Sequence, residues 1–275
     1  MRLAISNIAW DVVEDEEVVA LLQKYQVDAI DIAPGKYFPD PMNVSSSDIF
    51  RVKDWWGNHG IEITGMQALL FGTQGLNVFG SAQSQQAMLS HLAGVCRIAA
   101  GLKATRLVFG SPRNRDCSGL NEQETIEIAL SFFRQLGDIA QIHDVIICLE
   151  PNPTHYGANF MTTTAETAHM VELIQHPAIK MQFDTGAMIL NQENISEILP
   201  KYSHLIGHIH ISEAELLPIG TGNTQHNAIH NVLQQCLPAH VVTIEMLATS
   251  NESHLRTIEC ALQHTINSYR PTLQA

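Results

Sequence analysis

Eight short apolar runs rich in β-branched residues recur along the chain, at positions 3–9, 29–33, 62–69, 106–110, 145–150, 179–184, 205–211 and 241–246. Segments with the apolar spacing of amphipathic helices lie between them, the clearest at 16–25, 83–101, 122–143, 165–176 and 252–269. The runs do not alternate polar with apolar residues, so each strand is expected to be buried on both faces, as in a parallel sheet. Parallel neighbours need crossover helices, and these are right-handed. Eight such units in about 250 residues fit a (β/α)8 TIM barrel. A doubly wound sheet is the competing α/β fold, and it calls for a glycine-rich turn after the first strand. The turn here reads Ser6-Asn7-Ile8-Ala9-Trp10-Asp11, without a glycine. No linker or low-complexity stretch interrupts the pattern, so residues 1–275 are expected to form a single domain.

Composition narrows the function. With 45% hydrophobic residues the chain has enough apolar surface to offset its chain entropy, which excludes disorder. Fifteen basic against 28 acidic residues give a net charge of -13, which argues against a nucleic-acid partner. No apolar window approaches the roughly 20 residues of a membrane span. The opening apolar stretch is broken by Ser6 and Asn7 and followed by acids, unlike a signal peptide. Five cysteines at 96, 117, 148, 236 and 260 show no CxxC spacing and suggest reduced, structural thiols in a cytoplasmic protein.

In barrels of this kind chemistry sits at the C-terminal strand ends. The fifth run closes on Leu149-Glu150-Pro151-Asn152 and the sixth on Phe183-Asp184-Thr185-Gly186. The seventh closes on His208-Ile209-His210-Ile211-Ser212-Glu213 and the eighth on Thr243-Ile244-Glu245-Met246. One such residue singly is usually a solvated loop entrance. Four on consecutive strands would gather three carboxylates and an imidazole in one buried place, which costs several kcal/mol without a cation. Glu150, Asp184, His210 and Glu245 are therefore the candidate ligands of a divalent metal ion. Oxygen-rich ligation with one imidazole favours Mn²⁺, Mg²⁺ or Co²⁺ and is compatible with Zn²⁺. His208 and His210 share one side of their strand. His210, nearer the end, is the expected ligand, and His208 is read as packed behind it.

These four motifs, with the opening Ile5–Asp11, resemble the xylose isomerase-like barrel superfamily of sugar isomerases, epimerases and dehydratases, with endonuclease IV as a distant branch. The resemblance spans essentially the whole chain. It implies that Glu150, Asp184, His210 and Glu245 hold the metal, and that Glu150 and Glu245 face each other across the substrate and move its proton through a metal-stabilised enediolate. The sequence departs from the ketose 3-epimerase pattern at three places: Tyr156 stands where a Glu is usual, Ala187 where a His is usual and Leu216 where an Arg is usual. It also lacks most of the extra ligands of the endonuclease branch, with Gln67, Ala187 and Thr224 at such positions and only His226 matching.

Several further residues lie where a substrate would meet the barrel mouth. Trp10 offers a flat wall, Gln67 a hydrogen-bonding amide, and Asn152 and His155 polar groups beyond Glu150. Arg113 or Arg115 would hold an anion, as would Lys36. His226 lies in a glycine-containing loop, and Glu213 either supports the metal site or sits on the rim. Each has a plain structural alternative, as a core aromatic, a packed histidine or a solvated loop charge.

The leading expectation is a metal-dependent sugar or sugar-phosphate isomerase or epimerase acting on a small molecule. A dehydratase of a cyclic polyol or keto acid on the same metal site is the alternative, and a non-catalytic sugar-binding barrel is a third. Similar proteins are often homo-oligomers, an analogy only.

Overall fold

The computed structural model describes residues 1–270. Eight parallel strands close into a barrel in the order β1 to β8, with β8 pairing back onto β1. The strands are β1 (Arg2–Ser6), β2 (Ala29–Ile32), β3 (Glu62–Met66), β4 (Arg106–Phe109), β5 (Ile146–Leu149), β6 (Ile179–Asp184), β7 (Ile206–Ile211) and β8 (Val241–Ile244). All eight runs expected from the sequence are strands, most of them shorter than the run by one to three residues. The first run, for example, ends as a strand at Ser6, and Asn7–Ala9 form a 3-10 turn. β2 and β7 are buried throughout, as the apolar runs require.

Helices wrap the barrel: α1 (Asp15–Lys24), α2 (Ser46–Asn58), α3 (Ala82–Leu102), α4 (Glu122–Ile142), α5 (Thr164–Ile174), α6 (Thr185–Leu190), α7 (Ile195–Tyr202), α8 (His226–Cys236) and α9 (His254–Tyr269). Their starts are set by local chemistry. Asn121 accepts from the Glu124 amide while Glu124 reaches back to the Asn121 amide, a capping box that opens α4. α3 ends at Lys103 in the left-handed region, φ 65°. Neither α2 nor α8 stands out in the sequence, because few apolar side chains mark their inner faces. In α2 only Ile49 and Trp56 are buried. In α8 Ile229 and Leu233 point inward among polar neighbours, with buried His226 opening the helix.

Phe109, Phe132 and Phe133 pack edge-to-face between the barrel and α4. Cys96 and Cys148 are buried and Cys260 is exposed, and all five cysteines are free. Among the described residues no helix is long and apolar enough to cross a membrane.

Backbone approaches are tightest where the barrel meets its polar interior. A Cβ on Gly65 of β3 would stand 2.5 Å from Asp31 Oδ1, whereas one on Gly57 of α2 would meet nothing within 4 Å. Gly65→Ala should therefore destabilise the protein by about 1–3 kcal/mol through overpacking. Gly57→Ala should stabilise it by about 0.4–1 kcal/mol by restricting the unfolded chain. Denaturant titration of both variants checks this, and equal effects would contradict the packing described.

Candidate metal centre and cavity

The ends of β5 to β8 deliver four polar side chains to one point. Glu150 follows β5 directly, Asp184 is the last residue of β6, His210 is the penultimate residue of β7 and Glu245 follows β8. One donor atom from each lies within 4.8 Å of the other three. Two donors across a single ion bound at about 2.0–2.6 Å stand at most about 4–5 Å apart, so the cluster has the dimensions of one cation site.

Each donor is held by neighbours. His210 Nδ1 faces Glu245 Oε2 at 3.3 Å and Glu150 Oε1 at 4.0 Å, while its Nε2 faces Asp31 Oδ2 at 3.6 Å. Asp184 caps α6 by accepting from the Ala187 amide at 2.6 Å, and Ser212 Oγ donates to its second oxygen at 2.8 Å. Gln67 Nε2 donates to Glu245 Oε1 at 2.5 Å, and Asn152 Nδ2 donates to Glu150 Oε2 at 3.1 Å. Arg115 is fully buried, and its Nη1 donates to the Glu150 carbonyl at 2.7 Å.

The electrostatics reflect three acids crowded in a dry place. Burial, then repulsion from Glu245 and Asp184, pushes the Glu150 carboxyl up to about 8. Burial and Glu245 push Asp184 up to about 6. Burial acts the same way on Glu245, but His210 and the Gln67 amide outweigh it and hold that carboxyl below its ordinary value. Burial opposes the charged form of His210, yet Glu245 and Asp31 keep its pKa well above the ordinary imidazole value. A divalent cation would relieve the repulsion, and the donor set of three carboxylates and one imidazole fits one.

Asp31 is the residue that sequence reasoning missed. It sits fully buried in β2, and its Oδ2 lies 2.5 Å from His208 Nε2. Burial alone would raise its pKa, but the two histidines hold it well below the usual carboxylate range. The available signal was one acid inside an otherwise apolar strand, Ala29-Ile30-Asp31-Ile32. His208 packs behind His210, as expected.

A cavity of about 680 Å³ opens at the same mouth, in the size range of small-molecule sites. Glu150, Glu245, Gln67, Asn152 and Lys36 line it. Four expected substrate residues lie elsewhere. Trp10 is buried in the core, 6.5 Å from Trp56, with its Nε1 donating to Asp15 at 2.7 Å. His155 is turned outward beside Glu215 at 3.4 Å, its side chain 54% exposed. Arg113 is exposed and reaches the Thr73 carbonyl. His226 is buried between Tyr269 OH at 3.0 Å and Glu213 Oε1 at 3.3 Å. Glu213 also accepts from the amides of Gly220 and Thr224, which pins the loop before α8. These contacts hold its carboxyl at about 2 against the opposing effect of burial.

A sequence profile described as Xylose isomerase-like TIM barrel matches residues 19–266. The chain belongs to this family. No protein of curated function matches it by sequence. Among solved structures, a D-psicose 3-epimerase of Clostridium cellulolyticum H10 with D-tagatose superposes at TM-score 0.81 and 17% identity, covering 98% of this chain and 99% of that one. The 3-keto-D-glucoside 4-epimerase YcjR of E. coli superposes at 0.77 and 15% identity, covering 96% and 99%. The IolI protein with a bound zinc atom superposes at 0.76 and 17% identity, covering 100% of both chains. At these identities the likeness establishes the shared fold.

The raised carboxyls predict how stability responds to pH. Glu150 and Asp184 keep protons in the folded protein at pH values where the unfolded chain has lost them. Raising pH from about 5 to 8 should therefore destabilise the metal-free protein through these groups. Glu150→Gln should flatten that fall, and Mn²⁺ should reverse it in the wild type. Thermal unfolding with and without EDTA across this range checks the sign. A metal-free protein whose stability loss is the same with Gln at 150 would contradict it.

Proposed function

We propose that this chain is a divalent-metal-dependent sugar isomerase or epimerase that moves a proton on the carbon beside a carbonyl. The observation that carries this reading is the unequal exposure of the four candidate ligands to the cavity. Glu150 and Glu245 line it, and Asp184 and His210 do not. Two carboxylates therefore face the space where a substrate would sit, and the other two groups serve only to hold the ion. The fold shared with the sugar epimerases and IolI supports the same reading.

Bound among these residues, the cation would supply the positive charge that stabilises an enediolate-like substrate and would polarise its carbonyl. The chain's own groups do the rest. Glu150 and Glu245 exchange the proton, one as base and the other as acid, on opposite sides of the bound carbon. Gln67 and Asn152 fix the orientation of these carboxylates through the hydrogen bonds described above. Asp31 and Ser212 orient His210 and Asp184, and Arg115 holds the backbone of Glu150.

Glu245→Gln keeps size and one ligand oxygen while removing the base. With metal retained, turnover should fall by roughly 10²–10⁴, the usual worth of a positioned acid–base group. Glu150→Gln should behave alike. Incubating Mn²⁺-loaded protein with a panel of ketoses and cyclic polyols in D₂O, followed by NMR, tests the reaction class. Deuterium entering next to the carbonyl, lost on chelation, supports the proposal. Loss of water from the polyol would make the protein a dehydratase. Near wild-type turnover in either Gln variant would remove that residue from the mechanism.

A further inference from the structure

The cavity wall has little on it that would recognise a charged or fully hydroxylated ligand. Its cationic lining residue is Lys36. Two of the three Lys36 ammonium N–H groups are already taken, by the Asn7 carbonyl at 2.7 Å and by the Trp10 carbonyl. Burial also lowers its pKa. Ser111 lines the wall, but its hydroxyl donates to Asn114 at 2.6 Å. The Gln67 and Asn152 amide nitrogens donate to the two glutamates, and the Gln67 Oε1 is buried away from solvent.

Tyr156, Leu216 and Leu247 bring apolar surface to this cavity from the loops after β5, β7 and β8, and Ala187 does so from the first turn of α6. The Tyr156 hydroxyl accepts from the Glu215 amide at 3.0 Å, and the Leu247 amide donates to the Leu216 carbonyl at 3.0 Å, so the three loops are tied together. Glu215 and Leu216 both hold left-handed backbone, at φ 60° and 54°, a conformation that side-chain-bearing residues seldom adopt. That strained pair places Leu216 on the wall, and strain of this kind concentrates at functional sites. At the rim, Phe71 is 87% exposed and Leu247 50% exposed, so the entrance is apolar as well.

We infer that the substrate is uncharged and carries an apolar end, a deoxy carbon or an alkyl or aryl substituent, that packs on Tyr156, Ala187, Leu216 and Leu247. This inference rests on the proposed sugar chemistry for the polar end of the ligand. A phosphate would enter a site with two glutamates on its wall and, among the described residues, no arginine lining it to pair with the anion. A hydroxyl against the apolar wall would lose its water without gaining a partner. A methyl group there is buried without that loss, and an apolar pocket discriminates against an added hydroxyl by about 10-fold or more.

The test measures binding separately from turnover. Mn²⁺-loaded protein is titrated calorimetrically with 1-deoxy-D-fructose, 6-deoxy-D-fructose, D-fructose and D-fructose 6-phosphate, and deuterium exchange into each is followed in parallel. One of the two deoxyketoses should bind about 10-fold tighter than D-fructose, with the phosphate weakest. Leu216→Arg should invert the order by strengthening the phosphate and weakening the deoxyketose, each by about 10-fold. Leu247→Lys, at a half-exposed position, should shift the ratio in the same direction and guards against misfolding of the first variant. Equal affinities across the set, tightest binding of the phosphate, binding of neither deoxyketose, or an unchanged ratio in both variants would overturn the inference. Preferential binding of a deoxyketose without proton exchange would leave the apolar wall standing and defeat the isomerase reading. Exchange that is fastest on the phosphate would do the reverse.

Discussion

Three carboxylates and an imidazole meet, largely buried, at one end of the barrel. That concentration of negative charge is the constraint on which the rest of the site depends. In water the groups would be ordinary acids. In the barrel, burial and mutual repulsion raise Glu150 to about 8 and Asp184 to about 6, while His210 is drawn toward its charged form. A divalent ion is the economical solution, because it replaces repulsion among the acids with attraction from all of them.

Around this centre lies a shell of buried polar groups that give each donor a fixed direction. Asp31 faces both His208 and His210, Ser212 and the Ala187 amide hold Asp184, and Gln67 and Asn152 hold the two glutamates. Such partners fix ligand orientation and basicity. Closeness of approach matters as well. A Cβ on Gly110 would overlap Glu150 Oε2, so glycine at the end of β4 leaves room for that carboxylate. A second polar cluster, Glu213 with His226, Thr224 and Tyr269, lies behind the loop that leads into α8 and anchors it.

The barrel was legible because its strands are buried on both faces, which leaves continuous apolar runs that survive without an alignment. The four converging residues were legible for a related reason. A charged group at the end of a run such as Val145–Leu149 stands out against its background, and consecutive strands of a barrel must present their ends at one mouth. What the sequence did not reveal depends on side-chain direction. Trp10 follows β1 closely enough to reach the mouth, yet it turns into the core because Trp56 and Asp15 offer it a packed and hydrogen-bonded place. His226 looked like a loop residue, but it begins α8 and is buried against Tyr269, more than forty positions away. Asp31 was hidden because one acid within an apolar strand gives no hint of the histidines it meets across the barrel.

The central claim is that Glu150, Asp184, His210 and Glu245 form one cation site. Crystals of the protein soaked in Mn²⁺, with data collected at the manganese absorption edge, test it most directly. The account predicts one strong anomalous peak among these four side chains, within about 2.0–2.6 Å of a donor atom from each. No peak there at saturating Mn²⁺, or a peak at Asp31 and His208 or at the surface group Asp11, Glu14 and His254 instead, would contradict it.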